Sequence, residues 1–149
     1  MINVRKQYGC LHNEKVVLLL QLIKYRSDDM KIEIKHTFEV DDDISDAIIK
    51  LNKKHIFTRF CCSGHKGSLY PYVAFTKGAS RRRLKTLPKN WIKEKGTYGA
   101  SIYRLFSEYE LNNFSEDELL KISMKELDTW VDSLERDYCE FGEYEVNIK

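Results

Sequence analysis

The stretch DDDISDAIIKLNKKHIFTRFCCSGH, residues 41–65, decides the fold. It opens with three aspartates, whose oxygens cap helices well and whose charge is favoured at a helix N-terminus. Apolar residues then recur at helical spacing, namely Ile44, Ala47, Ile48 and Leu51. A helix is therefore predicted after Asp43, ending near Asn52. Ile56–Phe60 is predicted as a strand that runs into a turn around Gly64.

Two segments upstream of this stretch carry apolar residues in different patterns. Lys31–Phe38 alternates apolar and polar residues, which predicts a half-buried strand. Val16–Tyr25 is apolar apart from Gln21 and Lys24, a pattern that fits a buried helix or a strand equally. If it is a strand, Ser27–Met30 would turn the chain into a hairpin.

Downstream, strands are predicted at Tyr70–Phe75 and Tyr98–Phe106, and the C-terminal part is predicted to be helical. Ser115 with Glu118, and Ser123 with Glu126, have the spacing of capping boxes. One apolar stripe is predicted as core: Leu127, Trp130, Val131, Leu134 and Tyr138. The fold class is α+β, with a small mixed or antiparallel sheet, in a single domain of 149 residues.

The composition is that of an ordinary globular protein without a membrane segment. No apolar run approaches the roughly 20 residues that cross a bilayer, and Glu14 argues against a signal peptide. We therefore expect a cytoplasmic protein with no membrane partner. In that compartment the four cysteines should be thiols or metal ligands.

Charge is strongly segregated although the formal net charge is only +2. Residues 50–106 carry 14 lysines and arginines against one acid, Glu94, whereas residues 107–149 carry 4 basic and 13 acidic side chains. A basic block of this kind indicates an anionic partner. The alternative is that the acidic block folds against the basic block and neutralises it internally.

The turn after the predicted strand is the first candidate site. Gly64 permits a positive φ, which directs successive backbone N–H groups to one side and suits a phosphate or carboxylate. The predicted ligand-binding residues here are Thr58, Arg59, Cys62, Ser63, Gly64, His65 and Lys66. The alternative is a tight structural turn with two buried thiols.

This region resembles the N-terminal region of the wyosine-type tRNA methyltransferase family, which carries a Thr-Thr-Ser-Ser-Cys-Ser-Gly-Arg stretch after a similar helix. The resemblance covers residues 41–76 and rests on Thr58, on Cys62-Ser63-Gly64 and on the strand at Tyr72–Phe75. It implies that Thr58 and the Cys-Ser-Gly residues line a ligand site. His65 replaces the family's arginine, Phe60-Cys61 replaces its paired serines, and no S-adenosylmethionine region follows.

The chain also resembles small phage and Firmicute proteins that carry a Cys-Cys-(Ser or Glu)-Gly-His element. That resemblance implies a phage protein that sequesters a nucleotide-derived host defence signal. No cofactor is expected, although zinc is an open alternative with Cys10, His12, Cys62 and His65 as the weak candidate ligands.

A second basic element follows at Arg81, Arg82 and Arg83, whose guanidinium groups can bind phosphate bidentately. Aromatic residues interleave with the basic block: Tyr70, Tyr72, Phe75, Trp91, Tyr98 and Tyr103. Exposed rings would stack on bases, and strand alternation predicts that at least half of them pack in the core instead. Tyr72, Trp91 and Arg104 complete the predicted ligand-binding set.

Two functional classes follow from these features. The first is a binding protein for a phosphate-bearing nucleotide or nucleotide-derived signal. The alternative is an RNA- or DNA-binding or RNA-modifying protein related to the tRNA methyltransferases. The basic block lacks paired carboxylates for acid–base work, so no catalytic residue is assigned and binding is favoured over catalysis. A homo-oligomer that completes a pocket is a further expectation.

Overall fold

A computed structural model describes residues 15–26, 30–77, 84–135 and 143–148, with side chains described for residues 40–77 and 84–135. Strands and helices, numbered here in chain order, occupy the following ranges: β1 Lys15–Arg26, β2 Met30–Asp41, α1 Asp42–Lys53, β3 Thr58–Cys62, β4 Tyr72–Phe75, β5 Trp91–Gly96, β6 Gly99–Arg104, α2 Glu108–Asn113, α3 Glu116–Ser133 and β7 Glu143–Ile148. The α+β class predicted from the sequence is confirmed.

The first sheet contains three antiparallel strands in the order β2-β1-β7. β1 and β2 are paired along their whole length, from Lys15 opposite Asp41 to Arg26 opposite Met30. The apolar run at Val16–Tyr25 is therefore a strand, and it pairs antiparallel with the next strand as the hairpin prediction required. Met30 of the predicted turn begins β2, and residues 27–29 lie outside the described residues. β7 pairs with the other edge of β1. This strand corrects the expectation of a helical C-terminal part, because a strand follows the helices there.

The second sheet contains four antiparallel strands in the order β3-β4-β6-β5. Helices α1 and α3 cover one of its faces, where Val73, Phe75 and Ile102 of the sheet join the apolar side of both helices in one core. Each of these three sheet residues is fully buried. β5 was not predicted from its sequence, WIKEKG. It is an edge strand that buries only Trp91, so it lacks the alternation of apolar and polar residues that indicates a strand.

Helix α1 begins where the aspartate run predicted, but the capping mechanism differs. Asp41 occupies the N-cap position without a side-chain capping hydrogen bond. Its carboxylate oxygen Oδ2 instead accepts the backbone N–H of Ser63 at 3.0 Å and lies 3.3 Å from the Ser63 hydroxyl. Asp42 and Asp43 remain in the first turn, where their charge is favourable.

Both C-terminal helices begin with a complete capping box, Ser107 with Glu110 and Ser115 with Glu118. The second was predicted, whereas the box proposed for Ser123 and Glu126 is wrong. Ser123 lies inside α3, and its hydroxyl donates to the carbonyl of Leu120 at 2.7 Å.

The predicted core stripe is confirmed for Leu127, Trp130 and Val131, which are buried, and for Leu134, which packs against the core. Tyr138 lies outside the described residues. In the part of the chain that the structure describes, no helix is long and apolar enough to cross a bilayer.

Candidate functional site: an aromatic sheet face

The face of the second sheet that points away from the helices carries aromatic side chains. Alternation along β4 and β6 directs Tyr72, Ala74, Ser101 and Tyr103 to this side, where all four are half-buried. The outer strands add more exposed apolar groups, Phe60 at 39% and Ile92 at 44% exposure. We call this surface the aromatic face, and define it by these six residues together with Arg59, Tyr70, Glu94 and Tyr98.

One end of the aromatic face holds a tyrosine cluster, formed by Tyr70, Tyr72 and Tyr103. The ring centroids of Tyr70 and Tyr103 lie 5.3 Å apart in a stacked arrangement, and those of Tyr70 and Tyr72 lie 6.2 Å apart. Burial, together with the nearby Tyr103 and Glu94, raises the pKa of Tyr70. Its phenol therefore stays protonated at neutral pH and can donate a hydrogen bond.

The other end holds an arginine cluster, formed by Arg59, Phe60 and Tyr98. The Arg59 guanidinium carbon lies 5.3 Å from the Phe60 ring centroid and 5.4 Å from that of Tyr98. Its Nη1 also donates to the Tyr98 carbonyl at 3.0 Å. Tyr98 remains 73% exposed, so its ring is a surface that a ligand can reach.

Gly99 allows the hairpin between β5 and β6 to carry Tyr98 to this position. Its φ is +137°, and a Cβ at this residue would lie 2.2 Å from the Phe75 carbonyl oxygen. Only glycine tolerates such an approach of two backbones. The hairpin therefore lies against the end of β4, and Tyr98 comes within reach of Arg59.

Small side chains occupy the two central strands between the tyrosine cluster and the hairpin that carries Tyr98. Ala74 is paired with both Phe60 and Ser101, and Ser101 is paired with Glu94 on β5. Ala74 and Ser101 therefore form a low floor, with Phe60 beside it on β3. Glu94, the single acid of residues 50–106, is exposed at its edge.

The predicted anion-binding turn is engaged by the protein's own carboxylates. Ser63 is bound by Asp41, as described above, and the backbone N–H of Gly67 donates to Glu116 Oε2 at 3.0 Å. Gly64 has the predicted positive φ of 80°, but it is buried and its N–H lies 3.4 Å from Cys62 Sγ. The backbone N–H groups of the turn thus bind carboxylates, as predicted, but these carboxylates belong to the same chain. We therefore do not include the turn in the site.

Four other predicted ligand-binding residues are buried. Thr58 is buried, and its hydroxyl accepts a hydrogen bond from Asn52 at 3.0 Å. Trp91 and Cys62 are also buried. Arg104 is 1% exposed, its Nε donates to Glu126 at 2.9 Å, and its Nη2 donates to Glu110. Thr58, Trp91 and Arg104 lie on the helix-covered side of the sheet, whereas Cys62 is paired with Tyr72 and lies on the other side.

Arg59 and Tyr72 of the predicted set lie on the aromatic face. His65 and Lys66 lie in the turn that precedes Tyr70; Lys66 is exposed, and a lone backbone bridge joins His65 to Ser68. Arg81, Arg82 and Arg83 lie outside the described residues. Phe60 and Glu94 were missed, because only the strand register shows that they share a face with the tyrosines.

Part of the basic block is neutralised internally, as the alternative interpretation of the charge pattern expected. Lys50 forms an ion pair with Asp132 at 2.9 Å, which raises the pKa of the lysine. Lys54 Nζ donates to the carbonyls of Val131 and Leu134 at the end of α3, both at 2.6 Å. Lys66 and Lys77, by contrast, are exposed, and Lys77 follows β4 directly.

A cleft of about 570 Å³ lies between the start of α1, Ser63 and helix α3. Its charged lining consists of four aspartates and two lysines: Asp43, Asp117, Asp128, Asp132, Lys121 and Lys125. Burial raises the pKa of Asp128, and Asp132 and Asp46 raise it further against the opposing effect of Lys50. An excess of carboxylates repels phosphate, so this cleft does not suit the predicted anionic ligand.

The described side chains do not form the zinc site that the sequence left open as an alternative. Among residues 40–77 and 84–135 no three His, Cys, Asp or Glu side chains are placed to hold a metal ion. Cys61 and Cys62 are adjacent in β3 and so point to opposite faces of the sheet. Cys10 and His12 lie outside the described residues.

Comparisons with known proteins do not indicate a function for this chain, so the evidence for function is the geometry of the aromatic face. No protein-family model, curated protein or solved structure matches this chain. The resemblances of residues 41–76 to tRNA methyltransferases and of the Cys-Cys-Ser-Gly-His element to phage proteins therefore stay predictions.

Proposed function

We propose that this chain is a binding protein for a phosphate-bearing nucleotide ligand, which it holds on the aromatic face. The observation that carries the proposal is the pair of ring clusters on the sheet face opposite the helices. Large aromatic groups normally pack inside a protein, and an exposed group of them marks a binding surface. Bases stack well on such rings because every base has a π-face.

The charges around the aromatic face support the same ligand. Arg59 lies within the arginine cluster, and the exposed Lys77 follows β4 at that end. Lys66 is exposed in the turn that precedes the tyrosine cluster. A nucleotide with its base on a ring would place its phosphate near one of these cations, where arginine and lysine are the usual partners. The acidic cleft offers no comparable partner.

Binding is favoured over catalysis in this proposal. Glu94 is the only acid of the aromatic face, whereas general acid–base work on a bound nucleotide ordinarily uses a second, positioned group. Sequestration of a nucleotide-derived signal fits a protein that holds its ligand without changing it.

Fluorescence anisotropy with a labelled AMP and a labelled single-stranded oligoadenylate tests this function at low salt. The Tyr98→Ala variant should weaken binding of whichever probe is held. Tyr109→Ala is the matched control, because Tyr109 on α2 is 70% exposed, close to the 73% of Tyr98, and lies in the acidic part of the chain. Equal affinities for the two variants, or no binding of either probe, would refute the proposal.

A further inference from the structure

We propose that the natural ligand of the aromatic face is single-stranded nucleic acid, held with one base on the tyrosine cluster and a second base on the arginine cluster at the same time. This inference rests on the proposed function and narrows it. The nucleotide that the aromatic face holds is then one unit of a strand that lies across the sheet.

The distance between the two clusters is the first argument. Tyr103 and Gly99 lie four residues apart in β6, and Tyr98 precedes Gly99 in the hairpin. A strand rises about 3.3 Å per residue, so Tyr103 and Gly99 are separated by about 13 Å along β6. One base cannot cover both Tyr103 and Tyr98 at this separation. Two bases of one strand can.

The shape of the floor is the second argument. Between the tyrosine cluster and the hairpin the two central strands present only Ala74 and Ser101, and Phe60 lies beside them on the outer strand β3. A strand can therefore continue from one cluster to the other. A mononucleotide on this face would contact a single cluster and leave the other exposed to water.

The distribution of charge is the third argument. Arg59 belongs to the arginine cluster, and the exposed Lys77 follows β4 at that end of the face. Two cations at one cluster match a base that carries a phosphate on each side, as each base within a strand does. The acids of residues 107–149 include those of α2 and α3, and both helices lie outside the aromatic face.

A duplex does not fit the same surface. Its bases are paired and stacked on each other, so their faces are not offered to protein rings, whereas unpaired bases can be splayed onto them. The aromatic face should therefore discriminate against double-stranded nucleic acid of the same composition.

The test measures the affinity of the full chain for three probes by fluorescence anisotropy and competition: AMP, a single-stranded oligoadenylate of about eight nucleotides, and a base-paired hairpin oligonucleotide. The oligoadenylate should bind at least about tenfold more tightly than AMP or the hairpin. Tyr98→Ala and Tyr103→Ala should each reduce oligoadenylate affinity by about 5- to 150-fold, the range for loss of one base stack. In the double variant the two factors should multiply, because the sites are separate.

Two further variants control the experiment. Tyr103→Phe keeps the ring and should keep the affinity, so a loss seen only in Tyr103→Ala reports the stack. Glu94→Gln removes the acid from the face, and affinity for the oligoadenylate should rise because a charge that repels phosphate is gone. Circular dichroism checks that each variant is folded.

The outcomes separate this inference from the proposed function. AMP binding as tight as oligoadenylate binding, or equal binding of the hairpin, overturns the single-strand inference and leaves nucleotide binding standing. Loss of affinity in only one of the two tyrosine variants also overturns it, because one base would then be enough. Failure of all three probes to bind overturns both proposals.

Discussion

Arg104 on β6 and Glu126 on α3 form a buried ion pair, in which the guanidinium Nε donates to Oε2 at 2.9 Å. A second carboxylate, from Glu110 of α2, accepts from the same guanidinium. Burial disfavours the charge on Arg104, but the hydrogen bonds to the two glutamates outweigh this effect and raise its pKa. Arg104 and the two glutamates thus join the sheet to both C-terminal helices.

Replacing Glu126 by Gln should destabilise the fold. The Glu126 side chain is 12% exposed and that of Arg104 is 2% exposed, so water compensates poorly for the lost charge. Hydrogen bonds to charged groups contribute about 1.5–3 kcal/mol, and we expect a loss of that size in the free energy of unfolding. Urea denaturation measures it. Glu108→Gln, at an exposed position of α2, is the control, and equal losses for the two variants would contradict the prediction.

The stability of the fold should depend on pH through the carboxyl group of Glu110. Its hydrogen bonds with Arg104 and with the Ser107 backbone N–H lower its pKa to about 2, from the ordinary 4.5. A depressed carboxyl pKa stabilises the fold above the unfolded pKa, and this contribution is lost as the pH falls from about 4.5 towards 2. The free energy of unfolding, measured by denaturation at pH 7, 5 and 3, should decline as the pH falls, and this decline should be smaller in Glu110→Gln. Identical pH profiles would argue against the Glu110 contact.

Two glycines with nearly the same φ provide a matched test of packing in the turn. Gly64 has φ 80° and a Cβ there would lie 2.7 Å from Leu120, whereas Gly67 has φ 81° and nothing within 4 Å of that position. Each alanine variant should lose about 1–3 kcal/mol from backbone strain. Gly64→Ala should lose more, because Leu120 must also move. Thermal denaturation distinguishes the two, and a larger loss for Gly67→Ala would contradict the structure.

The two tryptophans should respond differently to replacement by phenylalanine. Each is 5% exposed. Trp130 donates its indole N–H to the Thr86 hydroxyl at 3.0 Å, whereas the buried indole N–H of Trp91 has no acceptor among the described residues. Phenylalanine at position 91 removes an unsatisfied donor, while at position 130 it removes a hydrogen bond. Urea unfolding should therefore show Trp130→Phe to be the more destabilised variant, and the reverse order would count against these assignments.

Local signals in the sequence predicted the parts of the fold that depend on neighbouring residues. The capping box of Ser115 and Glu118 needs only a four-residue segment, and the structure contains it. The same spacing at Ser123 and Glu126 failed, because that serine lies in the middle of a helix that had already begun. Spacing alone does not show where a helix starts.

Long-range partners explain what the sequence did not predict about the candidate site. The Ser63-Gly64 turn was expected to hold an external anion, yet Asp41, 22 residues earlier in the chain, supplies the carboxylate. Arg104 was predicted to bind ligand because its charge was visible in the sequence and its burial was not. The aromatic residues were noticed, but only the pairing of Tyr72 with Tyr103 and of Phe60 with Ala74 places them on one face.

The position of β5 at the end of the second sheet affects how copies of this chain can associate. Among the described strands β5 has a partner on one side only, and an open edge of this kind is a template for fibrillar assembly. Lys93 and Lys95 both lie on this short strand. In the antiparallel register that pairs Lys93 of one copy with Lys95 of another, Glu94 also faces Glu94, so like charges meet along the whole contact. These charges therefore act against growth of the sheet by that register of β5 addition.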